Sequence, residues 1–186
     1  MSFSTVFDFP FEREDLAQWV DYICITTYNS KRKGVKQTQS NRLSMHDEVP
    51  GMFLDIVMLR DLKEEIHVSL SEALAPIKID RETHSVGVET VKAHRKVDLH
   101  KDYQMGDQNP FARKCNVMFN LTDTPLHIIH SKTIHNKPLL KNQVLILDVT
   151  KHHGADNRNQ HDYIELFSLN LRMDYDTTVN YFKTLL

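Results

Sequence analysis

Short stretches of alternating apolar and polar residues follow one another along the chain beyond Pro76. Strand side chains point alternately to the two faces of a sheet, so this alternation predicts strands that each bury one face. The stretches are IKID (77–80), VGVETV (86–91), KVDLHKDY (96–103), CNVMFNL (115–121), LHIIHS (126–131), QVLILDV (143–149) and DYIELFSLNLRM (162–173). Many short strands in series predict a β-sandwich or barrel.

The N-terminal part has a helical pattern instead. Its apolar residues recur at helical spacing, which predicts one amphipathic helix within residues 12–23 and a second from about Asp55 to Ala75, ended by Pro76. The first apolar stripe is Leu16, Trp19, Val20 and Ile23, and the second is Leu59, Leu62, Ile66, Leu70 and Ala73. The stretch MFLDIVML (52–59) fits a strand equally well. Residues 29–50 are polar without a period, which predicts a long loop.

Length and composition agree with one soluble domain. At 186 residues with 40% hydrophobic and 26% charged residues, we expect a single domain over 1–186. Its fold class is α+β and mainly β, with N-terminal helical support over about 11–75 and a β-core over about 77–175. A net charge of −2 provides no overall basic field for nucleic acid.

The two cysteines, Cys24 and Cys115, lie far apart without C-x-x-C spacing. This predicts neither a disulfide framework nor a thiolate zinc site. The N-terminus reaches acidic residues before a signal-length apolar core, and no apolar run is long enough to span a membrane. We therefore expect a cytoplasmic protein with no membrane partner.

Two histidines and an aspartate form the most informative motif. VDLHKDY contains His100 and Asp102, and TKHHGAD contains His153 followed by Gly154. Two imidazoles and a carboxylate on one face of a metal are the ligand set that suits Fe(II) and leaves coordination positions open. Strand alternation predicts that His100 and Asp102 point to the same face as Asp98, opposite Val97 and Leu99.

Similar polar faces occur in two other predicted strands. Ser168, Asn170 and Arg172 alternate with apolar residues near the C-terminus, as Asn116 does in CNVMFNL. Such faces either contact water or converge inside a barrel, where a metal or an anion must compensate the burial of polar groups.

The H-x-D motif, the distal H-G pair, QVLILDV and the final strand with its basic residue resemble the 2-oxoglutarate- and Fe(II)-dependent dioxygenases. PFARKCNVMFNLTD (110–123) is similar to the prolyl-hydroxylase-like members. The resemblance covers about residues 95–175. It implies a double-stranded β-helix (jelly-roll) core and the hydroxylation of an unactivated C–H bond, with 2-oxoglutarate converted to succinate.

The resemblance also implies roles for individual residues. His100, Asp102 and His153 would be the catalytic Fe(II) ligands, with Gly154 favouring His153 over His152 as the distal ligand. Related enzymes place a cation for 2-oxoglutarate about ten residues after the distal histidine, and this chain has Tyr163 there. Arg172 is therefore assigned to 2-oxoglutarate together with Asn116, and Lys114 is the substitute.

Two other classes of protein remain open. The first is a cupin-type metal protein or enzyme that does not use 2-oxoglutarate, although cupin motifs are rich in glycine and this chain has only five. The second is a non-enzymatic β-sandwich that binds other proteins. The substrate is a small molecule, a peptide or a protein, and it would meet the loops at 29–50, 104–112 and 154–162.

Overall fold

The structure is a computed structural model that describes residues 3–9, 11, 13–32, 44–49, 51–82, 84–102, 113–130, 133–134 and 138–186 of the chain. Its helices are α1 (Arg13–Arg32), α2 (Glu64–Ala73) and α3 (Tyr175–Lys183). Its strands are β1 (Ser4–Asp8), β2 (Ser44–Val49), β3 (Met52–Met58), β4 (Ser85–Val91), β5 (Lys96–His100), β6 (Cys115–Asn120), β7 (His127–His130), β8 (Thr133–Ile134), β9 (Gln143–Asp148), β10 (His153–Asp156) and β11 (Ile164–Leu171).

The strands form two antiparallel sheets. Seven strands pair in the order β1-β9-β6-β11-β4-β3-β2, and four pair in the order β5-β10-β7-β8. From β4 onward the chain alternates between the sheets, entering the smaller one at β5, at β7 and β8, and at β10. This is the connectivity of a jelly roll. The predicted class, α+β and mainly β with a jelly-roll core, is confirmed.

Apolar residues fill two layers, one on each face of the larger sheet. Along β11, Phe167 and Leu169 pack on the helical side, whereas Leu166 packs between the sheets. Ser168 and Asn170 have the same parity as Leu166 and are buried. The predicted stripe of α1 is buried on the helical side, as expected. The larger sheet thus has the helices on one face and the smaller sheet on the other.

The N-terminal half contributes strands as well as helices, which corrects its description as helical support. β1 pairs with β9, and β3 pairs with β2 and β4. The helix predicted from Asp55 begins only at Glu64, because residues 52–58 form a strand between two neighbours. A strand that is covered on both faces can be apolar over successive residues, from Ile56 to Met58 here, and then loses the alternation that identifies a strand.

Three other expectations differ from the structure. Part of the expected loop at 29–50 is regular, because α1 continues to Arg32 and β2 begins at Ser44; residues 33–43 and 50 lie outside the described residues. The segment 77–80 is not a strand. Helix α3 was not predicted, and it begins where the Asp174 carboxylate accepts a hydrogen bond from the Thr177 backbone N–H.

No described helix combines the length and the apolar character that crossing a membrane requires.

Candidate metal centre

The structure brings His100, Asp102 and His153 together at one end of the smaller sheet. His100 ends β5 and lies directly opposite His153, the first residue of β10, while Asp102 follows two residues after His100. The ligand atoms of the three side chains lie within 4.8 Å of one another. His152, the alternative distal ligand, is exposed, whereas His153 is only 5% exposed.

The two imidazoles are oriented by backbone carbonyl groups. His100 Nδ1 lies 2.8 Å from the Asp98 carbonyl oxygen, and His153 Nδ1 lies 2.9 Å from that of Lys151. A carbonyl oxygen only accepts, so each Nδ1 carries the proton and donates it. Each Nε2 therefore keeps a free lone pair, and the two Nε2 atoms lie 3.2 and 3.8 Å from Asp102 Oδ1. This is the tautomer that a metal ligand requires.

Arg113 holds the other oxygen of the Asp102 carboxylate. Arg113 Nε and Nη2 lie 2.8 and 2.6 Å from Oδ2, while Nη1 donates to Asn170 Oδ1 at 2.6 Å. Burial alone would raise the pKa of Asp102, but the Arg113 charge and the neighbouring imidazoles hold this pKa well below its usual range. Asp102 is therefore ionised, with Oδ1 directed towards both histidines.

The two histidines differ in their affinity for protons. A hydrogen bond with Asp102 raises the pKa of His100 above its ordinary value. Burial lowers the pKa of His153, and the attraction of Asp102 only partly offsets this. His153 is therefore the more easily kept neutral, and His100 is the one that a proton occupies first as the pH falls.

A β-bulge turns His100 into the cavity. His153 pairs with His100 but Ala155 pairs with Val97, so β5 has one residue more than β10 in this interval. The side chain of Asp98 is 86% exposed, whereas Val97 packs in the apolar layer between the sheets and His100 brings its ligand atom to those of Asp102 and His153. The simple alternation predicted for this strand was therefore wrong, because the extra residue reverses it before His100.

Gly154 faces this bulge at close range. A Cβ atom at position 154 would lie 2.5 Å from the Val97 carbonyl oxygen and 3.2 Å from that of Asp98. A contact of 2.5 Å with backbone requires the strands to move apart. The glycine after His153 is therefore needed for β10 to approach β5.

The three residues assigned to 2-oxoglutarate do not line the cavity. Arg172 is exposed just beyond the end of β11, and Lys114 is exposed just before β6. Asn116 is fully buried on β6 opposite Asn170 of β11. Within the described structure, neither polar atom of the Asn116 amide has a hydrogen-bond partner. Tyr163 is 54% exposed.

Sequence reasoning missed two buried charged residues, Arg113 and Glu89. Arg113 lies two residues before β6 begins, outside any strand, so strand alternation gives no signal for it. Glu89 had a signal, because alternation in VGVETV places it on one face with Gly87 and Val91. Burial raises the pKa of Glu89, although the Arg113 charge opposes this.

A cavity of about 340 Å³ extends from the three candidate ligands into the space between the sheets. Glu89 and Arg113 contribute its other ionisable groups, apart from the exposed Asp98. Arg113 is the only lysine or arginine among the described residues that line it. Most of the wall is apolar, and includes Met52, Leu54, Val91, Met118, Ile128 and Leu166.

Comparison with known proteins finds similarity only in structure, since no family model and no curated protein matches the chain. AerE from Microcystis aeruginosa is 13% identical with a TM-score of 0.45, over 71% of this chain and 47% of AerE. Bacillus subtilis oxalate decarboxylase, a protein with Mn(II) centres, is 11% identical with a TM-score of 0.42, over 70% of this chain and 28% of the enzyme. A Pseudomonas putida prolyl-4-hydroxylase is 9% identical with a TM-score of 0.44, over 92% of this chain and 93% of the hydroxylase.

The chain thus spans about half the length of AerE and about a quarter of the length of the decarboxylase. With TM-scores below 0.5, these likenesses carry no argument about function, which must come from the residues of this chain.

Proposed function

We propose that the protein is an Fe(II)-dependent oxygenase in which His100, Asp102 and His153 bind a single metal ion. The observation that carries this proposal is that one ligand atom from each residue lies within 4.8 Å of the others, with the two Nε2 atoms 3.2 and 3.8 Å from Asp102 Oδ1. Two neutral nitrogens and one carboxylate oxygen are the ligand set of Fe(II) oxygenases, with open positions for reactants.

The surrounding groups fit a metal. The opposite side of each ligand is already fixed, by backbone carbonyls at the two Nδ1 atoms and by Arg113 at Asp102 Oδ2. Such outer contacts set the tautomer and orientation of metal ligands. Bound there, Fe(II) would supply the redox chemistry of O₂, and the apolar wall beside it would keep water away from the reacting groups.

The described cavity does not fit 2-oxoglutarate. A molecule with two carboxylates needs a cation for the one that does not bind the metal. Arg113 is bound to Asp102 and Asn170, and the cavity presents an acid, Glu89, on an otherwise mostly apolar wall. We therefore favour the form of the proposal in which the oxygenase does not use 2-oxoglutarate.

The test is a mass-spectrometric search for oxygen taken from ¹⁸O₂. The Fe(II)-loaded protein is incubated with pools of metabolites and peptides, with and without 2-oxoglutarate, beside the matched variant His100→Ala. We expect products that contain ¹⁸O with the wild type in both conditions and none with His100→Ala. The absence of any labelled product, or equal labelling by His100→Ala, would contradict the oxygenase assignment.

A further inference from the structure

Glu89 is a buried acid that faces the cavity from the wall opposite the candidate metal ligands. It lies on β4 in the larger sheet, whereas His100 and His153 lie on β5 and β10 of the smaller one. Its residue is 6% exposed, and its Oε1 atom has no hydrogen-bond partner among the described residues. The residues paired with it on the neighbouring strands are Leu54 and Leu166, which also line the cavity.

The Ser168 hydroxyl lies beside this carboxyl group, but it leaves Oε1 without a hydrogen-bond partner among the described residues. Arg113, the one described lysine or arginine of the lining, donates to Asp102 and Asn170. The charge of Arg113 thus acts on two buried acids, Glu89 and Asp102, but of the two only Asp102 accepts hydrogen bonds from it. A buried polar atom without a partner is costly and is kept in native proteins where it has a use.

We propose that the cavity binds a small apolar molecule with a primary amine, and that the ammonium group binds Glu89. A carboxylate and an ammonium group form a charge-assisted hydrogen bond, which is strongest away from water. At about 340 Å³ the cavity has the size of a site for a small organic molecule.

The position of Glu89 also orients the ligand. An amine bound on the larger sheet directs the apolar part of the molecule across the cavity, towards His100 and His153. This inference deepens the proposed function by naming its substrate class and rests on it for the chemistry, but the binding of the amine requires no metal.

Matched small molecules test the proposal directly. Calorimetry would compare 2-phenylethylamine and hexylamine with 2-phenylethanol, 1-hexanol and phenylacetate, on the wild type and on Glu89→Gln. The control variant is Asp98→Asn, which removes an exposed acid at the same cavity. We expect the amines to bind the wild type and Asp98→Asn at least tenfold more tightly than the alcohols, with no binding of phenylacetate. Glu89→Gln should lose this preference.

A wild type that binds alcohols or phenylacetate as tightly as amines would overturn the proposal, as would a preference for amines that survives in Glu89→Gln. If Glu89→Gln does not fold, Glu89→Leu provides the same comparison with an apolar side chain, and it should bind the alcohols in preference to the amines. Equal binding of amines by Glu89→Leu and the wild type would again overturn the proposal.

Two further measurements separate this proposal from the metal site. The titrations are repeated after removal of metal by a chelator, where we expect the preference for amines to persist even if the proposed oxygenase function is wrong. The Mn(II) affinity of Glu89→Gln should lie within threefold of that of the wild type. A loss of more than tenfold would show that Glu89 serves the metal, and would overturn its assignment to an amine.

Discussion

Arg113 binds only one oxygen of Asp102, with Nε and Nη2 at 2.8 and 2.6 Å from Oδ2, and leaves Oδ1 to face the two histidines. Arg113 and Asp102 are both largely buried. The guanidinium therefore fixes the carboxylate in an orientation suited to a metal before any metal arrives, and it compensates the charge that Asp102 would otherwise bury alone.

Replacement of Arg113 by methionine should destabilise the protein. Asp102 would remain buried without its main partner, and breaking a buried ion pair in this way costs about 3–5 kcal/mol of unfolding free energy. Urea denaturation of the metal-free protein measures this loss. The control is Lys141→Met, since Lys141 pairs with Asp123 at the surface and should contribute little. Equal losses of unfolding free energy in the two variants would mean that the ion pair between Arg113 and Asp102 stabilises the fold no more than an exposed pair does.

Gly154→Ala should weaken both folding and metal binding. The added Cβ would lie 2.5 Å from the Val97 carbonyl oxygen, so β10 must move away from β5 and take His153 with it. We expect a loss of about 1–3 kcal/mol, typical of overpacking, and a lower metal affinity. Ala155→Gly on the same strand should cost about 1 kcal/mol and leave metal affinity unchanged. Wild-type metal affinity in Gly154→Ala would contradict the role given to this glycine.

Metal affinity should fall as the pH is lowered. A metal binds the neutral imidazole, and the hydrogen bond that the protonated His100 ring donates to Asp102 raises the pKa of His100, so a proton competes for His100 before it competes for His153. We expect affinity to fall about tenfold per pH unit below the pKa of His100 and to level off above it. Isothermal titration with Mn(II) between pH 5.5 and 8.5 measures this profile. An affinity that does not change over this range would exclude His100 as a ligand.

2-Oxoglutarate should bind weakly or not at all to the Fe(II) protein. An anaerobic titration is expected to give no visible charge-transfer band, because no cation in the described cavity is available for the second carboxylate. The matched variant is Arg172→Ala, which should behave as the wild type does because Arg172 is exposed and outside the cavity lining. A band in the wild type that is lost in Arg172→Ala would restore Arg172 as the cosubstrate residue.

Alternation of apolar and polar residues identified most of the strands, although β4, β6 and β11 are buried on both faces because their polar residues are buried as well. β4, β5, β6, β7, β9 and β11 coincide with predicted stretches, and the order of strands and helices indicated the fold class. β10 lies outside those stretches and overlaps the loop expected at 154–162. β3 was ambiguous, because Ile56, Val57 and Met58 are all buried and a strand covered on both faces has no alternation. Helix α3 had a recognisable start in Asp174, followed by buried residues at helical spacing, which are Tyr175, Thr178, Val179 and Phe182.

The candidate site was only partly predictable. Motif and resemblance selected His100, Asp102 and His153, which the structure brings together, but the alternation used to orient His100 fails at the bulge after Val97. A bulge depends on the pairing of two strands, and one strand's sequence does not reveal it. Arg113 belongs to neither a helix nor a strand, so no periodicity in the sequence could predict its contact with Asp102. Glu89 lies in the predicted strand VGVETV, where no face was assigned to it.

The adjacent histidines at 152 and 153 provide the most direct test of the metal site. His153 is buried with its Nε2 beside Asp102, whereas His152 is exposed, so two alanine variants of neighbouring residues should behave differently. The measurement is anaerobic Fe(II) titration by calorimetry. The wild type and His152→Ala should bind one Fe(II) per chain with equal affinity, and His153→Ala should bind it more than about 100-fold more weakly. Equal affinity in His153→Ala and the wild type, or a loss in His152→Ala instead, would contradict the assignment of His100, Asp102 and His153 as the metal centre.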